Sequence, residues 1–187
     1  MKPAGQFFLF CLFVSTLISC EQSSPSSSKA LADEKNKETF ETKKGEKEAE
    51  FIADAVQQKL GEIKLAELAS AKSSNKKLQD FAQRMAADQT ESLSRFQDLA
   101  RKKGITLPIE EGDDAKEKVN ELSEVEGRQF DEKWSDEIIS KHEKTLRDFN
   151  KMSKKFEDAQ LSEVLRSATK TLEMQLQELR NFRENIK

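Results

Sequence analysis

LSEVLRSATKTLEMQLQELRNF, residues 161–182, decides the fold. Leu161, Leu165, Ala168, Leu172, Leu176, Leu179 and Phe182 recur at steps of four and three, and Ile186 extends the series. That period puts one apolar stripe along one helix face. The residues between are charged or polar, so the stripe faces protein and the rest faces water. A helix of this kind cannot bury its stripe alone. It needs partners with stripes of their own.

Three further segments supply them. In residues 48–71, Ile52, Val56, Leu60 and Ile63 step by four, four and three, flanked by Ala55, Ala66 and Ala69. Gly61 lies inside this helix and costs about 1 kcal/mol against Ala unless a neighbour packs there. Ser73-Ser74-Asn75 breaks the pattern and offers an N-cap for a second helix. That helix carries Leu78, Phe81, Ala82, Met85, Gln89, Leu93, Phe96, Leu99 and Ala100. Arg101-Lys102-Lys103 suits the negative end of the helix dipole. Gly104 supplies a left-handed C′ residue. Gly127 precedes a third helix, which ends near residue 157 and carries Phe130, Trp134, Ile138, His142, Leu146, Phe149 and Phe156. Ser123 with Glu126 makes a capping box one turn before it, which leaves its N-cap unassigned. Residues 105–127 hold the loop signals Pro108 and Gly112-Asp113-Asp114. Within them, residues 115–122 read as a short helix.

The expected fold is therefore all-α. Four amphipathic helices of similar length pack as a four-helix bundle. The two short loops make two antiparallel hairpins, and the long middle connection makes one crossover that carries the short helix. This is a ferritin-like arrangement over residues 47–187. The second and third helices also match at a fixed offset. Phe81, Met85, Gln89, Leu93 and Phe96 correspond to Trp134, Ile138, His142, Leu146 and Phe149. That alignment puts Gln89 and His142 at equivalent polar positions in the core.

The amino-terminal end reads differently. Lys2 is followed by an apolar run, residues 7–18, and then by Leu17-Ile18-Ser19-Cys20 across its end. A basic start, a short apolar core and small residues at the cut describe a secretory signal. The run is shorter than the roughly 20 residues a membrane-spanning helix needs. A cysteine directly after the small residue resembles the signal of bacterial lipoproteins. That resemblance implies removal of residues 1–19 and a diacylglycerol and an acyl chain, such as palmitate, on Cys20. Residues 20–46 read as a flexible Ser-rich and charged tether, too poor in apolar residues to bury a core of their own, with a second half that can be partly helical and continue into the first helix. A tether of that length reaches about 25–30 Å. By analogy with sorting signals, Glu21 in place of Asp favours the periplasmic face of an outer membrane over an inner one, where two membranes are present.

Composition removes several classes of function. The 187 residues include 36% charged side chains and only nine Gly plus Pro. Lys2 is the only charged side chain in residues 1–19, so their removal shifts the formal net charge from −3 to −4. Such a balance gives no basic footprint for nucleic acid. The two cysteines are Cys11, inside the signal, and Cys20. The domain itself thus has no thiol for a disulfide, a metal or nucleophilic chemistry. There is no Gly-x-Ser-x-Gly elbow and no Gly-rich phosphate loop. No catalytic set is present, and no enzyme is expected.

Several short motifs follow one another at set intervals. They are Gly61-Glu62 with Ile63 and Leu65, then Asn75, Phe81-Ala82-Gln83-Arg84-Met85 with Asp88, and Lys103-Gly104. They continue with Leu122-Ser123, Gly127, Phe130-Asp131, His142-Glu143-Lys144, Phe149 and Thr171-Leu172. Their order and spacing resemble the domain-of-unknown-function 4142 family. The resemblance implies a ferritin-like helical fold and an envelope location, and no particular activity. Its members often carry histidine where this chain has Gln89 and, by a looser match, Glu178. His142 is the only histidine here. Di-iron centres of ferritin-like bundles need a Glu from each of two helices and Glu-x-x-His from each of the other two. Ile139 stands three before His142, so that set is missing. Two readings stay open. A mononuclear metal site would use Glu62, His142 and Glu178. The preferred reading assigns no metal: His142 and Gln89 form a hydrogen-bonded polar layer, as buried polar groups require. No cofactor beyond the lipid on Cys20 is called for. The partners expected are the bilayer, through that lipid, and an unknown protein or envelope component.

Overall fold

The stripes build four long helices in the computed structural model, which describes residues 27–185. They are α2 (Lys43–Lys72), α3 (Lys76–Lys103), α5 (Gly127–Lys155) and α6 (Ala159–Asn185). Two shorter helices are α1 (Ser28–Thr39) and α4 (Asp113–Ser123). The described residues are entirely helix and connection. The signal, Cys20 and Ile186 lie outside them.

Several local signals act as read. The Asn75 side chain accepts from the Lys77 amide at 3.0 Å and starts α3. Gly104, at φ 69°, ends it. The Ile105 amide donates to the Ala100 carbonyl at 2.9 Å, which occupies one of the helix's last free acceptors. The capping box at Ser123 does not form. Ser123 is the last residue of α4, and its hydroxyl donates to the Asn120 carbonyl. Glu126 precedes α5 without a side-chain cap.

Of the long helices, α2 packs on α3 and α5, and α6 packs on the same two. Both α1 and α4 lie against α2. The α4 connection runs the length of the molecule. At one end Thr106 meets α1, and at the other Lys72 of α2 pairs with Glu126 at 2.5 Å. Gly61 is where α4 crosses α2. A Cβ on Gly61 would stand 2.6 Å from that of Ala115. The neighbour that excuses a glycine inside the helix is therefore Ala115.

Within the tether of residues 20–46, the helical second half is packed rather than flexible. From Ser28 onward the chain is helical and packed. Ala32 and Asn36 are buried. The Asn36 side chain donates to the Thr106 carbonyl at 2.9 Å and accepts from the Thr106 amide at 2.8 Å. Lys29 of α1 pairs with Asp54 of α2 at 2.8 Å. Phe40 packs against the core beneath α2. What holds α1 is a paired amide, an ion pair and small buried residues, so its own apolar content is low. Extending the bundle domain back only to residue 47 cuts through α2 and leaves out α1.

The core is divided. One apolar cluster joins Ile52 and Val56 to Phe96, Phe149, Leu165 and Leu172. The other joins Leu65 and Ala69 to Phe81, Met85, Trp134, Ile138 and Leu179. Trp134 is core, as its place on the stripe predicts. Its indole donates to the Leu65 carbonyl at 2.8 Å, and its ring meets Phe81 edge-on at 6.1 Å. Between the clusters, each long helix contributes a polar residue at the same level.

Candidate functional site: a buried polar layer

The layer consists of Lys59 and Glu62 from α2, Gln89 from α3, His142 from α5 and Gln175 from α6. All five are at most 5% exposed. They arrive there by helical spacing. In α2 the buried series is Ile52, Val56, Lys59, Glu62, Ala66 and Ala69. Leu60 and Ile63 are only partly buried, so the inward face is turned from the one their spacing predicts. In α6, Gln175 stands three after Leu172 and four before Leu179, on the stripe itself.

The expected His142–Gln89 pairing is replaced by two separate pairs. The Lys59 ammonium donates to Gln89 Oε1 at 2.9 Å. It also lies 5.6 Å from the Phe96 ring centroid and 5.9 Å from that of Phe149. The two ring faces give the cation a favourable surface in a dry interior. Burial pushes the Lys59 pKa down, and the Glu62 carboxylate partly pulls it back. His142 Nε2 is 2.9 Å from Gln175 Oε1, and Gln175 Nε2 donates to Asp88 Oδ2 at 2.8 Å.

This chain fixes the histidine's proton. Asp88 accepts only, so the amide NH₂ of Gln175 faces it and the amide oxygen faces His142. His142 Nε2 must therefore carry the hydrogen. In the neutral ring Nδ1 is then a bare acceptor. It has no hydrogen-bond partner and stands 4.0 Å from Glu62 Oε1. Two acceptors face each other there. Burial pushes the His142 pKa down, Glu62 and the Gln175 bond pull it up, and Lys59 pushes it down further. On its outer side Glu62 lines a cleft of about 120 Å³ with Gln57, Asp114, Lys141 and Thr145.

Of the three candidate ligands, the structure brings Glu62 and His142 together and leaves Glu178 out. Glu178 is half-exposed and pairs with Arg84 of α3 at the surface. Among the described residues, no three His, Cys, Asp or Glu side chains are grouped to hold a metal ion. Gln89 and His142 are legible as polar residues on apolar stripes. Lys59, Gln175 and Asp88 are the members missed. Gln175 occupies a stripe position, and an on-stripe polar residue is its signal; Lys59 lies off the Leu60 and Ile63 spacing and gives none. Asp88 enters only through Gln175.

Among the described residues, no helix is long and apolar enough to cross a membrane. Neither the search of curated proteins nor that of solved structures found a match. The profile of a family described as a domain of unknown function, DUF4142, matches residues 33–182. That span takes in most of α1, every member of the polar layer and nearly all of α6. The chain thus belongs to the DUF4142 family.

Proposed function

We propose that this protein is a lipid-anchored, non-catalytic module of the bacterial envelope. In this reading its long helices form a ferritin-like four-helix bundle with one crossover. Lipid on Cys20 holds it at a membrane, on the periplasmic face of the outer one where there are two. There it binds a protein or another envelope component. The observation that carries the reading is the lipoprotein-like Leu17-Ile18-Ser19-Cys20 placed just ahead of a helical domain. The layer agrees with it: Lys59 is bonded to Gln89, and His142 to Gln175, inside the core. The ferritin-like arrangement is supported by the packing order of α2, α3, α6 and α5 and by the single long connection through α4. The test is Cys20→Ala. The wild type should incorporate labelled palmitate and fractionate with membranes, whereas the variant should do neither and stay folded. A variant still tightly membrane-bound would refute the anchor.

A second reading is a metal-binding or redox-stress protein with a reduced ferritin-like site. The unpartnered His142 Nδ1 facing Glu62 at 4.0 Å favours it. The Lys59 ammonium in the same layer disfavours it, because a cation repels another in a low-dielectric interior. Metal analysis of protein purified without chelator separates the two. Stoichiometric iron, manganese or zinc that disappears in His142→Ala would establish the second.

A further inference from the structure

We propose that Ile109 and Leu31 form a docking point for a neutral phospholipid surface, which seats the domain on its membrane by its α1 side. The inference rests on the lipid anchor at Cys20.

Ile109 is 87% exposed and Leu31 is 48% exposed. Leu31 stands one turn after Ser28 on the same face of α1. The Ile109 amide donates to the Ser28 hydroxyl at 3.4 Å, which brings Ile109 to the first turn of α1, one turn from Leu31. Three residues earlier the same loop is clamped by both hydrogen bonds between Asn36 and Thr106. The fold thus holds Ile109 outward on an anchored loop.

The distance to the anchor selects the occupant. Because α1 begins at Ser28, only eight residue steps separate it from Cys20. Eight steps span at most about 29 Å fully extended and about 14–17 Å as a random coil. A lipid on Cys20 therefore keeps the start of α1, and Leu31 and Ile109 beside it, close to the bilayer.

Charge selects the kind of lipid. Lys29 is paired with both Asp33 and Asp54. Lys116 is paired with both Glu110 and Asp113. With Glu34 and Lys35 one turn beyond Leu31, carboxylates still outnumber ammonium groups around the apolar point, and they repel anionic headgroups. A phosphatidylcholine surface carries no such penalty.

The test uses the full lipidated chain in phosphatidylcholine vesicles. With Cys11 removed and Cys20 acylated, a cysteine placed in the domain is the only free thiol. Ile109→Cys carries an environment-sensitive dye. Met174→Cys, 57% exposed on α6, serves as the control, because α6 packs on α3 and α5 whereas α1 lies on α2. Vesicle flotation is measured first. The expected result is that both proteins float, that dye at 109 blue-shifts and is quenched by a lipid-borne quencher, and that dye at 174 does neither. Flotation with no quenching at 109, or with equal quenching at both sites, overturns the docking point and leaves the anchor standing. Failure to float overturns the anchor, and the docking point with it.

Discussion

His142 shows how one proton is placed by a residue, Asp88, that never touches the ring. Asp88 orients Gln175, Gln175 orients the imidazole, and Nδ1 is left bare before Glu62. Burial is the largest influence on its pKa and lowers it. The unfolded chain then binds the proton more readily than the folded one. Stability from this group is fully present above the unfolded value, about 6.5, and is lost as pH falls toward the lower folded value. His142→Gln removes that titration and retains an amide that can donate to Gln175. The variant should stay folded, and its stability should change less than the wild type's between about pH 5 and 7. Urea midpoints across that range check it. An imidazole that titrates near 6.5 by NMR, with unchanged pH dependence in the variant, would refute the buried role. The histidine was legible in the sequence as the one polar residue on an aromatic-rich stripe. Its partner was not. Gln89 was the better match by offset, and only the packing of α6 shows that Gln175 reaches the ring first.

At the scale of elements, what sequence periodicity captured and what it missed have the same cause. The α3, α5 and α6 helices bury strong apolar stripes, and their boundaries fall within a few residues of those read from spacing. The inward face of α2 carries two charged residues, Lys59 and Glu62, so apolar spacing alone points to a face turned toward Leu60 and Ile63. The α1 helix has almost no stripe, because the amide of Asn36 and the ion pair of Lys29 hold it. Gly61 is the clearest contact between elements. Alanine there gains about 1 kcal/mol of helix propensity. It also drives a Cβ into Ala115, whose side chain has no freedom to move aside. Overpacking of this kind costs about 1–3 kcal/mol. Gly61→Ala should therefore destabilise the protein, and Ala115→Gly should recover stability when added to it. Thermal or urea unfolding of both single variants and the double variant measures the coupling. Additive effects would mean that α4 does not seat on Gly61.

Across the whole molecule, the polar layer separates two apolar cores that would otherwise be continuous through all four long helices. Such a layer gives up stability, because Lys59 loses its water and regains one hydrogen bond and two aromatic faces. Replacing a buried ionic group and its partner by apolar side chains of similar volume is often neutral or stabilising by about 1–4 kcal/mol. Lys59→Met with Gln89→Leu makes that replacement and joins the Phe96 side of the core to the Met85 side. Gln89 Nε2 has no hydrogen-bond partner in the layer, and Glu62, which loses the Lys59 cation, borders the cleft where water can solvate its carboxylate. The double variant should thus be more stable than the wild type. Gln89→Leu alone should be less stable, by about 1–3 kcal/mol, because the ammonium loses its only hydrogen-bond acceptor in the layer. The opposite signs separate this account from simple core filling, in which both variants would gain. The layer's lasting contribution would then be register: four stripes can slide along one another by a turn, but Lys59 meets Gln89, and His142 meets Gln175, in one alignment alone. The more stable double variant should accordingly show poorer amide dispersion by NMR, or additional conformers. A double variant that is both more stable and as uniquely folded as the wild type would show that the layer does not set the register, and would direct attention to Glu62 and the cleft beside it.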